Sequence, residues 1–93
     1  MHKWNMEIIW DKNKAIANKK CHKVSFESTK PVFYDDLAIT IEDRDHEEQR
    51  FITIGMGERF VLLVVVYCYQ DETTIRVISA RKAEPHERRE YES

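Results

Sequence analysis

The stretch "IRVISARKAEPHERREYES", residues 75–93, places Arg76, Arg81, Arg88 and Arg89 around what reads as one strand-to-helix corner. A guanidinium fork binds two phosphate oxygens at once, and Ser79, Glu87 and Tyr91 stand beside these arginines in the sequence. Two readings fit: a phosphate-binding corner, or a solvated surface in which Arg81 pairs with Glu87 and Tyr91 packs its ring. A second set lies in "DRDHEEQR", where His46 can exchange protons near neutral pH and Arg50 can hold an anion. The plain alternatives are a charged loop residue for His46 and a pair with Glu48 for Arg50. His46 with Asp43, Asp45 and Glu47 lacks the paired His/Cys spacing of a metal site, so neither metal nor cofactor is expected.

With 93 residues the chain is read as one domain, 1–93, around one modest core. The longest apolar run, "FVLLVVVYCY" over 60–69, is about half the ~20 residues a membrane helix needs. No membrane association is expected. "MHKWNMEIIW" has no signal-peptide pattern, and Cys21 and Cys68 make no disulfide framework, so the expected location is the cytoplasm. Net charge is −2, which argues against a nucleic-acid coat over the whole surface, yet charge is segregated. Six lysines and one acid lie between Lys12 and Lys30, and seven acids and one base lie between Asp35 and Glu48. The acidic tract has no obvious basic counterpart in sequence.

The hydrophobic pattern supplies the elements that must position these residues. "MEIIW" reads as a short strand. Asp11 caps a helix, "KNKAIANKKCH", whose apolar stripe of Ala15 and Ile16 is thin and whose Asn13 and Asn18 lower its propensity. Ser25 opens a second helical stretch that Pro31 keeps short, with Phe26 and Phe33 facing the core. "LAITIED" alternates as a half-buried strand, with Leu37, Ile39 and Ile41 on the apolar side, and "RFITIGM" alternates likewise. "RFVLLVVVYCYQ" does not alternate, which predicts a central strand covered on both faces. Regular alternation along "TIRVISARK" sends Arg76, Ile78 and Ala80 to one face and Val77, Ser79 and Arg81 to the other. Pro85 starts a final helix with Glu84 at the cap and Glu87 three residues on. The class is α+β: a short N-terminal strand, two helices, an antiparallel meander and a C-terminal helix.

Taken together, "WDKNKAIAN" (10–18), "HKVSFES" (22–28), "VFYDDLAIT" (32–40), "DHEEQRFITIGM" (45–56), "LLVVVY" (62–67) and "IRVISARKAEPHERREYE" (75–92) resemble the BrnT family of type II toxins. The segments span nearly the whole chain in order. The resemblance implies a RelE-like, microbial-ribonuclease-like fold and a metal-independent endoribonuclease that cuts cellular RNA and inhibits translation. It also implies a BrnA-like ribbon-helix-helix antitoxin, contact with DNA only through that antitoxin, and room for a homodimer within the complex. Catalytic candidates are His46, Arg50, Arg81 and Tyr91; RNA-binding candidates are Lys14, His22, Arg76, Arg88 and Arg89. Within these, Arg81 is expected to be held by the Glu87–Tyr91 edge and to bind the scissile phosphate, while Arg88 or Arg89 makes a looser contact. His46 with Arg50 is the next choice.

The chain departs from the family pattern at four places. Cys21-His22-Lys23 stands where the family reads Lys-His-Gly, Asp35-Asp36 where it reads Asp-Pro, Tyr69-Gln70 where it often reads Glu-Arg, and Glu84 where a Thr caps the last helix. The third departure motivates the alternative: a catalytically weak or inactive module that binds the antitoxin and tunes promoter repression.

Overall fold

A computed structural model describes residues 6–44 and 46–93. Asp45 and the first five residues lie outside them. Five strands form one sheet: β1 (Glu7–Trp10), β2 (Ile39–Asp43), β3 (Arg50–Met56), β4 (Leu62–Asp71) and β5 (Thr74–Lys82), in the order β1-β5-β4-β3-β2. Strands β2 to β5 make the antiparallel meander the pattern implied, and β1 adds to the β5 edge in parallel. Helix α1 (Lys12–His22) and a 3-10 helix (Glu27–Tyr34) precede the meander, and α2 (Pro85–Glu92) follows it. Among the described residues, no helix is long and apolar enough to cross a membrane.

The first face of the sheet carries the main core. Leu63, Val65, Tyr67, Ile75, Val77 and Ala80 are buried there under Val24, Phe26 and Val32, with Trp10, Ala15 and Phe33 packed around them. Strand β4 sits in the middle of the sheet, which is why its sequence does not alternate. The second face is covered only in part. Ile54, Leu62 and Val64 form a small cluster beneath Tyr91 of α2.

Helix α1 begins as expected, with the Asp11 carboxylate accepting from the Lys14 N–H at 2.9 Å. Its anchor differs from the expected stripe. Ile16 is 58% exposed, and the buried residue is Asn18. Strand β1 ends at Trp10 opposite Val77, so the outer edge of Ala80 has no strand beside it. Asn18 takes that place: its amide donates to the Ala80 carbonyl (2.8 Å) and its oxygen accepts from the Ala80 N–H (3.1 Å). The same amide donates to the Val24 carbonyl at 3.0 Å. The helix ends on Lys23 at φ 62°, ψ 25°, the left-handed cap for which glycine is the favoured residue.

Two further readings are corrected. Strand β2 is at the sheet edge, and its apolar side is open rather than half-buried: Ile41 is 60% exposed, while Leu37, expected in the strand, lies in the turn before it and is 70% exposed. On β5 the alternation breaks. Val66 pairs with Ser79 while Tyr67 pairs with Val77, leaving Ile78 as the extra residue of a bulge. Arg76, Ser79 and Arg81 therefore share the second face, and Val77 and Ala80 share the first.

Candidate active site on the second face

The bulge makes one row of chemistry-bearing side chains across the sheet. Arg76 pairs with Cys68 on one side and Ile9 on the other, and Asp43 pairs with Arg50. Arg50 precedes Phe51, the partner of Tyr67, so it stands beside Cys68. The row across β2, β3, β4 and β5 reads Asp43, Arg50, Cys68, Arg76. Glu48, from the loop before β3, bridges both guanidiniums, accepting from Arg50 at 3.2 Å and from Arg76 at 2.9 Å. The Arg50 hydrogen bond first, then the charge of Arg76 and the Cys68 thiol, hold Glu48 below the usual carboxylate range against the opposing effect of burial. It therefore stays ionised at neutral pH. His46 Nε2 lies 3.3 Å from Asp43 Oδ2 at the end of the row. Among the described residues, Arg50 Nε is buried and has no hydrogen-bond partner.

The acidic loop thus has basic counterparts after all. Arg50 of β3 pairs with Glu48 two residues before it, as the plain alternative held, and Arg76 of β5 comes from 28 residues further along the chain. Of the expected residues, the fold brings together His46, Arg50 and Arg76. Asp43 and Cys68 join them through the strand register, and Glu48 through the pair with Arg50 that the sequence offered as the plain alternative.

Beyond this row the face turns apolar. Ile41, Ile52 and Val66 form the next row and end at Ser79; Ile39, Ile54 and Val64 form the third and end at Arg81. Ile39, Ile41, Ile52, Ile54 and Val64 floor a groove of about 240 Å³ walled by Arg81, His86, Glu87 and Glu90. Four residues of β4 separate Cys68 from Val64, so Arg81 lies about 13 Å from the Arg76 row at ordinary strand rise.

Arg81 is engaged at this far end. Glu87 takes it in a two-pronged pair, 2.9 Å from Nη1 and 2.7 Å from Nη2, and Nη1 also donates to the Lys82 carbonyl at 3.2 Å. The Arg81 hydrogen bonds are the main cause that lowers the Glu87 pKa to about 2. Glu87 also closes the capping box of α2 through the Glu84 N–H at 2.8 Å. Tyr91 packs on the small cluster and donates its hydroxyl to Asp35 Oδ2 at 2.7 Å. That bond, together with burial, raises the phenol's pKa. The same Asp35 oxygen accepts from the Met56 N–H, so α2 is tied to the start of the meander. Arg88 pairs with Glu92 at 3.4 Å, and Arg89 is exposed on α2. Lys14 and His22 are exposed on α1, in the layer over the first face. Glu84, His86 and Glu87 offer ligand atoms within 4.8 Å of one another, but Glu87 is already committed to Arg81.

A family model described as "Ribonuclease toxin, BrnT, of type II toxin-antitoxin system" matches residues 10–87. The crystal structure of the Brucella abortus ribonuclease toxin, BrnT, is similar with a TM-score of 0.65 and 25% identity, over 85% of this chain and 97% of that one. No curated protein matches the chain. The matched region runs from Trp10 through the meander to Glu87, taking in every strand but most of β1, and the chain belongs to the BrnT family of type II toxins.

Proposed function

We propose that the chain is a metal-independent endoribonuclease whose site is the row Asp43, His46, Glu48, Arg50 and Arg76. The single observation that carries this is the convergence of Arg50 and Arg76 on Glu48, on an open face beside an apolar floor. In RNA the 2′-hydroxyl attacks the adjacent phosphorus and displaces the 5′-oxygen, which needs a base, an acid and charge on the non-bridging oxygens. The two guanidiniums supply that charge. His46, oriented by Asp43, exchanges the protons. Glu48 holds both arginines until the phosphate competes for them. The exposed Ile41 and the floor behind it accept a neighbouring base.

Arg81 and Tyr91 serve in this reading as braces that fix α2, with Arg81 retaining a secondary contact to the RNA backbone. Lys14, His22, Arg88 and Arg89 are peripheral contacts. A type II toxin is paired with an antitoxin. We take this one to be a BrnA-like ribbon-helix-helix protein that lays an acidic, amphipathic segment over the second face. Cleavage of cellular RNA in the cytoplasm then restrains translation when the antitoxin is lost. The alternative of an inactive binding module draws support from the exposed Ile41 of β2 and Leu37 in the turn before it, which suit a protein partner as well as a base.

The test is cleavage of a single-stranded RNA by the purified toxin in chelator. The account expects cleavage in chelator and a loss of about 100-fold or more in Arg76→Ala. Cleavage that needs one divalent ion overturns the metal-independent reading. A folded native protein that cleaves nothing, yet binds antitoxin, supports the module.

A further inference from the structure

The connection between β3 and β4 is a turn, Glu58–Val61, closed by the Val61 N–H to the Glu58 carbonyl at 3.2 Å. Its two central residues, Arg59 and Phe60, have φ of 59° and 60°. Positive φ at both central positions is the type I′ form, which Asn-Gly fills with least strain. Here an arginine and a phenylalanine occupy it. The phenylalanine gains no burial in return, since its ring is 88% exposed. Two strained positions whose side chains add nothing to the core point to contacts made outside the fold.

Arg59 also lines a pocket of about 300 Å³ with Lys19, Lys23 and Lys82. Four cations face one acid there, Glu58, and Ser25 and Ser28 complete the polar wall. The pocket lies on the first face, at the end of β5 away from the Arg76 row. A concentration of cations beside an exposed aromatic ring is the pattern that holds single-stranded nucleic acid: phosphate on the cations, base on the ring.

We infer that the Arg59–Phe60 turn and the Lys19, Lys23 and Lys82 pocket form a second RNA-binding subsite, remote from the cleavage row. Phe60 stacks one base, and the pocket holds a backbone phosphate of the same strand. The inference rests on the ribonuclease reading above and deepens it: the toxin takes an extended strand that reaches round the sheet end, and a dinucleotide occupies the row alone.

The test replaces the turn by Arg59→Asn with Phe60→Gly. The doubly substituted toxin is expected to melt a few degrees higher, because both residues relax into the left-handed turn. Its affinity for a 2′-O-methylated single-stranded RNA about 20 nucleotides long, which lacks the attacking hydroxyl, is measured by fluorescence anisotropy and is expected to fall at least about fivefold. Lys82→Gln should lower the slope of log affinity against log salt by about one. Unchanged RNA affinity in the double variant overturns the subsite and leaves the arginine row standing. Loss of antitoxin binding with RNA affinity intact overturns it in favour of a protein contact. A melting temperature that does not rise removes the strain argument and overturns it as well. Native toxin that neither cleaves a dinucleotide nor binds the longer RNA overturns the subsite together with the ribonuclease reading.

Discussion

Asn18 joins α1 to the sheet through two hydrogen bonds with Ala80, at 2.8 and 3.1 Å, and holds the Val24 carbonyl at 3.0 Å, while only 6% exposed. Asn18→Ala leaves the Val24 carbonyl and both backbone groups of Ala80 without partners. An unsatisfied buried group costs about 1–3 kcal/mol, and water entering the vacated space recovers part of that, so the loss is about 3 kcal/mol. That is a large share of the ~5–15 kcal/mol that holds a domain of this size. At about 4–8 °C per kcal/mol, the melting temperature falls by roughly 12 °C or more. Asn18→Asp keeps the shape but replaces a donor by an acceptor that faces two carbonyls, so at neutral pH it should be at least as damaging. Burial among acceptors raises that carboxyl's folded pKa above its unfolded value. The folded state then binds the proton more tightly, and the aspartate variant regains stability as pH falls through the folded pKa. Urea unfolding of the three proteins at neutral and mildly acid pH measures this. An Asn18→Ala protein within about 0.5 kcal/mol of native, the usual range for surface substitutions, refutes the strand-substitute role.

Glu87 titrates at about 2 because of Arg81. Its contribution is fully present above its unfolded pKa of about 4.3 and is lost as pH falls through 2. Arg81 is 39% exposed, so solvent reduces the pair's value to about 1–2 kcal/mol. Glu87→Gln should lower stability by that amount at pH 7 and by much less near pH 2, read by thermal melts. Lys23 sits at φ 62°, so Lys23→Gly should stabilise α1 by up to about 1 kcal/mol in the same melts. Gly57→Ala should destabilise, because an added Cβ would lie 2.5 Å from Leu63 Cδ1 and 2.8 Å from the Ser28 carbonyl. Cys21 is exposed and remote from the row, so Cys21→Ser should leave RNA cleavage within a few-fold.

The meander, the central place of β4 and the capping box of α2 were legible because each rests on local pattern. Periodicity marks a strand, and Pro85 with Glu84 and Glu87 marks a helix start. What stayed hidden depends on pairings between distant segments. Parallel attachment of β1 has no local signature. The bulge at Ile78 is invisible in a sequence that alternates well, yet it decides that Arg76 and Arg81 share a face. Asn18 reads as a weak helix former, and only the early end of β1 gives its amide a role. The arginine corner posed the right question and stated half the answer. Arg81 meets Glu87 as its spacing suggested, but Arg76 turns to Glu48, 28 residues earlier in the chain. The resemblance to BrnT toxins rested on scattered segments whose order, rather than any one motif, carried it; the matched span of 10–87 agrees.

The most direct measurement is single-turnover cleavage of one RNA oligonucleotide in chelator by native toxin, Arg76→Ala and Arg81→Ala, each shown folded by circular dichroism. The account predicts that Arg76→Ala loses about 100-fold or more of the rate. It predicts a loss of less than about tenfold for Arg81→Ala, whose guanidinium is held by Glu87. Full activity in folded Arg76→Ala, with activity abolished in folded Arg81→Ala, contradicts the row and moves the cleavage site to the far end of the same face.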